Sequence, residues 1–169
     1  MHMMGSLRGL TCAESGKVNG DFIDSIEPTH FVTLVTNWDS LPFRKLSTHR
    51  SLSPEQKLRK ITAALDKWGA LVDRDLLGDR WLKKRDRRTR AFGVVEHLET
   101  NIHFHCAIRF AAGICPDKFE TAAMKRWVQL VRTGHTEIVP FKKKCHLEWS
   151  ISKEGRKLDF GTFGLIGPR

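Results

Sequence analysis

The sequence predicts an α+β domain: an antiparallel sheet of four to five strands with helices packed on one face, in the strand–helix–strand–strand–helix–strand order of a ferredoxin-like, or split βαβ, arrangement. Three observations carry that expectation. Two stretches repeat their apolar residues at steps of three and four, as helices do. Several others are short, β-branched and aromatic, as strands are. Two of those strands are separated by only a few polar residues, a connection short enough to force an antiparallel hairpin.

Taken in order, residues 1–27 are polar, with Gly5, Gly9, Gly16 and Gly20 scattered among serines and charges, and are expected to form a flexible N-terminal segment. Residues 28–169 make the single domain. Its first strand is 29–37, THFVTLVTN, bounded by Pro28 and Asp39. A long helix follows: Ser53 is a natural N-cap, Pro54 suits the first helical position and Gln56 completes a Ser-x-x-Gln capping box. Leu58, Ile61, Leu65, Trp68, Val72 and Leu76 lie along one face of that helix, and Gly78 ends it. Residues 91–98 (AFGVVEHL) and 102–110 (IHFHCAIRF) form the hairpin. A second helix runs from about residue 116 to 132, with Phe119, Ala123, Trp127 and Val131 on its apolar face and Gly134 at its end. The last strand is expected at 145–152, CHLEWSIS; the Gly-rich tail from Lys153 has no assignment.

Composition narrows the function. Apolar residues at 40% and charged residues at 28% describe a folded globular chain of 169 residues, long enough for one core. No run approaches the roughly 18 apolar residues of a membrane span, and MHMMGSLRGL lacks the layout of an export signal, so a cytoplasmic location is expected. Cys12, Cys106, Cys115 and Cys145 form no CxxC pair, which excludes a zinc ribbon and leaves free thiols. Twenty-nine Lys and Arg against nineteen Asp and Glu leave a net charge of +10, so a polyanion is the first partner to consider.

The hairpin carries the chemistry. In 102–110 the alternation sends Phe104, Cys106, Ile108 and Phe110 one way, into a core, and His103, His105, Ala107 and Arg109 the other. Two histidines at alternate strand positions place their imidazoles side by side. If the loop is symmetric about Glu99 and Thr100, Glu96 lies directly opposite His103 on the same face. Glu96, His103 and His105 then form a two-histidine, one-carboxylate set suited to a divalent metal with open positions for substrate oxygens. A register shift of one residue would turn Glu96 to the wrong face. By the same alternation His97 points into the helix-covered face, and His30, His49, His135 and His146 carry no spacing argument.

His103-Phe104-His105, followed by Cys106-Ala107-Ile108, resembles the His-hydrophobe-His motif of HUH endonucleases, the rolling-circle replication initiators and relaxases of plasmids and phages. The resemblance extends to the strand at 29–37 and to Glu96, seven residues before His103, and spans about residues 29–163. It implies an HUH nuclease domain whose histidines and third polar ligand hold Mg²⁺ or Mn²⁺ against the scissile phosphate of single-stranded DNA. It also implies a tyrosine on a later helix that attacks the phosphate. This chain has no tyrosine and ten phenylalanines. Phe160 is the first choice for the tyrosine slot and Phe163 the second; loss of one oxygen removes the nucleophile and keeps the ring. Three readings accommodate this: a binding-only relative, an inactivated variant, or a chain truncated before its tyrosine helix.

The segment 80–90, RWLKKRDRRTR, packs seven basic residues into eleven positions. Lys83, Lys84, Arg85, Arg87, Arg88 and Arg90 are expected to neutralise phosphates beside the proposed site, with Trp81 stacking on an unpaired base. Lys142, Lys143 and Lys144 form a second basic cluster. Trp68 and Trp127 sit on helix faces and belong to the core. The sequence thus points to a replication-initiator-like protein that binds single-stranded DNA through a metal, with no small-molecule cofactor and no membrane partner. An inactive nucleic-acid-binding module with an RRM-like sheet is the alternative, since exposed aromatics and a basic loop would suffice for it. A nuclease using water as its nucleophile is a third reading.

Overall fold

The large apolar side chains of the chain need one dry layer, and the sheet provides it by alternation. In the computed structural model, which describes residues 25–36, 53–97, 101–111, 113–142 and 163–166, five strands form one antiparallel sheet. They are β1 (His30–Val35), β2 (Arg90–Glu96), β3 (His103–Arg109), β4 (His135–Pro140) and β5 (Phe163–Ile166), arranged in the order β4-β1-β3-β2-β5. Helix α1 (Pro54–Leu77) links β1 to β2, and α2 (Pro116–Leu130) links β3 to β4. Each helix-linked pair of strands has one antiparallel strand between its members: β3 lies between β1 and β2, and β1 between β3 and β4. The α+β class with helices against one face of an antiparallel sheet is as the sequence predicts.

The helix side of the sheet is the main core. Val32 and Leu34 of β1, Ala91 and Val95 of β2, and Phe104, Cys106 and Ile108 of β3 pack there against Ile61, Leu65, Trp68 and Val72 of α1 and Phe119, Ala123 and Trp127 of α2. Both helix tryptophans are fully buried and neither wastes its indole N–H: Trp68 Nε1 donates to the Ala123 carbonyl at 3.0 Å and Trp127 Nε1 to the Val35 carbonyl at 2.9 Å. The first bond ties the two helices together and the second ties α2 to the sheet.

The signals read for α1 act as expected. Ser53 Oγ accepts from the Gln56 N–H at 3.3 Å while Gln56 Oε1 accepts from the Ser53 N–H at 3.0 Å, and Gly78, at φ 79°, closes the helix by donating to the Arg74 carbonyl. Such a cap contributes about 1 kcal/mol. Gly93 of β2 meets a tighter demand. A Cβ there would lie 2.5 Å from the His105 carbonyl oxygen and 2.9 Å from Cys106 Sγ, so β2 and β3 approach closely only because that position has no side chain.

Two strands differ from expectation. The strand after α2 is β4, HTEIVP, beginning five residues beyond the helix; the strand expected at 145–152 lies outside the described residues. β4 stands at one edge of the sheet and is largely exposed, so it needs no strong apolar alternation, and that weakness hid it. β5 pairs with β2 at the opposite edge, from the tail left unassigned. Ile26 and Glu27, at the end of the expected flexible segment, are also placed: Ile26 is buried against Phe92, Val94 and Ala107, and Glu27 pairs with Arg109 at 2.9 Å. No helix among the described residues is long and apolar enough to cross a membrane. Cys106 and Cys115, the two described cysteines, are free thiols.

Candidate metal and nucleic-acid sites

The hairpin register places the predicted cluster. Glu96 stands directly opposite His103, and His105 opposite Val94 on β2 and Thr33 on β1, so the two histidines and the glutamate share the face that the helices leave open. Glu96 is buried, and its Oε2 reaches diagonally to 3.3 Å from His105 Nε2. The imidazole of His105 is held on three sides: by Glu96, by Thr33 Oγ1 at 3.1 Å from Nδ1, and by the Phe31 ring stacked at a centroid distance of 5.8 Å. The rings of His103 and His105 meet edge to face at 6.1 Å.

His97 joins this group, which corrects the expectation that it points into the helix layer. β2 ends at Glu96, and His97 takes a left-handed backbone (φ 59°) that breaks the alternation. Histidine is among the residues that tolerate this conformation. Its ring is exposed, with Nε2 3.9 Å from Glu96 Oε2 and its centroid 5.3 Å from that of His103. His135, for which spacing gave no role, is the second residue sequence reasoning missed: it lies across Val35 from His103 in the register of the sheet. The signals that would find them are a positive-φ residue at the start of a short hairpin loop and the edge strand β4 itself.

Electrostatics follow from this crowding. Burial lowers the His103 pKa below its ordinary 6.5, and the neighbouring His97, His105 and His135 push the same way against the opposing pull of Glu96. His103 therefore stays neutral, the form that ligates a metal, to lower pH than a free histidine. Two imidazoles and a carboxylate on one face are donor types that first-row divalent cations take. Their arrangement, however, is one of side chains turned to each other. Among the described residues no three His, Cys, Asp or Glu side chains form a ready ligand set.

The basic segment is ordered and lies elsewhere. Residues 81–83 and 85–87 form two single 3₁₀ turns between α1 and β2. Lys83, Arg85 and Arg87 are exposed. Lys84 Nζ is instead spent on the Leu77 carbonyl at 2.6 Å, where it caps the end of α1. Arg88 donates to Asp73 Oδ2 at 3.4 Å and lies 4.7 Å over the Trp81 ring, so one face of that indole is already covered. Asp73 is buried and also accepts from the Thr89 N–H at 2.9 Å, which fixes the end of the segment to α1. Arg90, partly buried, starts β2 and stands opposite Arg109. Lys142 is exposed just past β4, at the same end of the sheet; Lys143 and Lys144 lie outside the described residues.

This placement corrects the expectation of basic loops beside the histidines. β2 runs from Arg90 to Glu96, so the basic segment and the carboxylate occupy its opposite ends, about 20 Å apart at the usual rise of a strand. Phe160 lies outside the described residues. Phe163 belongs to strand β5, not to a helix, and stands in the cross-sheet row of Val94 and His105. Of the rings on the open face, Phe92 is buried with Ile26, while Phe141 and Phe31, the latter stacked on His105, are partly buried against the same cluster.

Compared with protein-family models, curated proteins and solved structures, the chain gives no match.

Proposed function

We propose that this chain binds single-stranded DNA at a divalent metal site of HUH type and acts on it as a replication-initiator-like or relaxase-like protein. The observation that supports this best is the gathering of Glu96, His103 and His105 on the open face, fixed by the β2–β3 register. Mg²⁺ or Mn²⁺ held there would supply the positive charge that polarises a scissile phosphate. His103 serves as a neutral donor and Glu96 supplies the negative charge of the set. The exposed Lys83, Arg85 and Arg87, on the segment that leads into the far end of β2, hold the backbone of the same strand, and the net charge of +10 draws the strand in.

The sequence contains no tyrosine, and water is the leading candidate for the nucleophile in its place. Phe92, buried beside Ile26, and Phe31, already stacked on His105, weigh against the RRM-like alternative, which needs rings available for stacking.

A titration with Mn²⁺ and a denaturing gel of labelled single-stranded oligonucleotides test this reading together. His103→Ala with His105→Ala is expected to weaken Mn²⁺ binding at least about tenfold; unchanged affinity removes the metal site. Mn²⁺-dependent cleavage blocked by EDTA, with no covalent adduct, is the expected product of water attack. If no strand is cut, Phe160→Tyr and Phe163→Tyr are the two variants in which a protein–DNA adduct is sought. An adduct in either identifies the nucleophile position, and its absence in both limits the function to binding.

A further inference from the structure

The far end of the hairpin holds a charge arrangement that the histidine cluster does not use. Arg90 opens β2 and Arg109 closes β3, and the register sets them directly opposite one another. Phe92 of β2 and Ala107 of β3 pack in the open-face cluster, so by alternation both arginines project from that same face. Directly opposed residues have Cβ atoms about 4.5–5.5 Å apart, and like charges in that relation are destabilising. A guanidinium cannot relieve the conflict by losing its proton.

The acid that meets this pair is Glu27, with Oε2 2.9 Å from Arg109 Nη1. Glu27 is weakly held. Its side chain is 74% exposed, where an ion pair contributes little, and its backbone takes the left-handed conformation (φ 47°) that side chains enter at a cost. What keeps it there is its neighbour: Ile26 is buried against Phe92, Val94 and Ala107 and so anchors the carboxylate beside Arg109.

We propose that Arg90 and Arg109 form a site for a phosphodiester group of single-stranded DNA, and that Glu27 fills the Arg109 half of it until the phosphate displaces it. The site adds a contact to the nucleic-acid reading above and rests on it, but it needs no metal. A carboxylate and a phosphate present the same feature to a guanidinium, two oxygens matched to a planar fork of N–H donors. The diester has two non-bridging oxygens and can give one to each arginine, whereas Glu27 meets Arg109 alone. One anion between two cations replaces their repulsion with two attractions. The position also suits a strand already held by the basic segment. Thr89, fixed by Asp73, immediately precedes Arg90, so the pair continues the exposed charges of Lys83, Arg85 and Arg87 onto the sheet.

The test is fluorescence anisotropy of a labelled oligodeoxythymidine over a range of NaCl concentrations, in EDTA so that no divalent cation takes part, with a melting temperature for every protein. Arg90→Gln and Arg109→Gln should each weaken binding about tenfold and reduce the slope of log affinity against log salt by about 0.7–1. Glu27→Gln should tighten binding about two- to fivefold. Asp117→Asn, the same charge change at an exposed acid of α2, should tighten it less. With Arg109→Gln already in place, Glu27→Gln should do nothing further. Arg90→Gln should melt at or above the parent's temperature, because it removes one of two opposed charges.

The proposal is overturned by a Glu27→Gln effect no larger than that of Asp117→Asn, or by one that persists without Arg109. Unchanged affinity in both arginine variants overturns it as well, and so does a lower melting temperature for Arg90→Gln, which would make the arginine pair a structural support. If the unaltered chain binds no oligonucleotide in EDTA, this site falls. If it binds the oligonucleotide but not Mn²⁺, the metal reading falls and this site stands.

Discussion

The two ends of strand β2 handle charge in opposite ways. At one end Glu96, His97, His103 and His105 turn toward one another, and Glu96 is buried. At the other, Arg90 stands opposite Arg109, with Glu27 as the acid on Arg109, and Lys83, Arg85 and Arg87 project from a segment fixed by Asp73. The histidine end depends on strand register to within one residue, because a slip would send Glu96 to the helix side. The basic end depends on the number of charges and tolerates exchange among them. A function that needs chemistry at one point and grip along a strand would be divided in this way.

The largest expected effect separates the ends most cleanly. Reversing Lys83, Arg85 and Arg87 together to Glu should weaken binding of a single-stranded oligonucleotide at least about 100-fold and flatten its salt dependence, with Mn²⁺ affinity untouched. Loss of Mn²⁺ binding in that protein would show that the ends are not independent. Next comes Gly93→Ala, at the middle of the shared strand. Its methyl meets the His105 backbone, which cannot yield as a side-chain tip does, so a loss of about 1–3 kcal/mol is expected by urea denaturation. Mn²⁺ affinity should fall with it, because His105 is the residue displaced.

Asp73→Ala should cost a similar or slightly smaller amount, about 1–3 kcal/mol, by stranding the Thr89 N–H, whereas Asp73→Asn retains an acceptor and should stay within about 1 kcal/mol of the parent. Protease sensitivity between residues 80 and 90 should rise in the alanine protein alone. The smallest effect is on pH. Burial lowers the pKa of His30 as well as that of His103, so below 6.5 these two histidines bind more protons in the unfolded chain than in the folded one. Stability should therefore decline as pH falls from about 7 to about 5, and His30→Leu should reduce the decline; an identical pH dependence in that variant would remove His30 as a cause.

What was legible in the sequence was whatever a short rule controls. The Ser53–Gln56 box and Gly78 bounded α1 because capping is local chemistry. The symmetric loop gave Glu96 opposite His103 because a hairpin's register follows from its turn. β4 was missed because an exposed edge strand is not obliged to alternate, and His97 because a single left-handed residue reverses the side to which a side chain points. The basic segment was recognised by composition, which carries no distance; only the length of β2 puts it at the far end from the histidines. Lys84 and Arg88 were counted with the phosphate contacts, but backbone and carboxylate partners within the fold already engage them.

The absence of tyrosine also has an optical consequence. Excited beyond the absorption band of its phenylalanines, this protein emits from its tryptophans alone, with no tyrosine donor to pass energy to them. Trp68 and Trp127, sealed in the core with their N–H groups bonded to carbonyls, are reporters of unfolding. Trp81, part-exposed under Arg88 on the basic segment, is placed to dim when a nucleobase or a phosphate disturbs that stack. Core and surface tryptophans thus report different events, and Trp81→Phe would show how much of the signal comes from the basic segment.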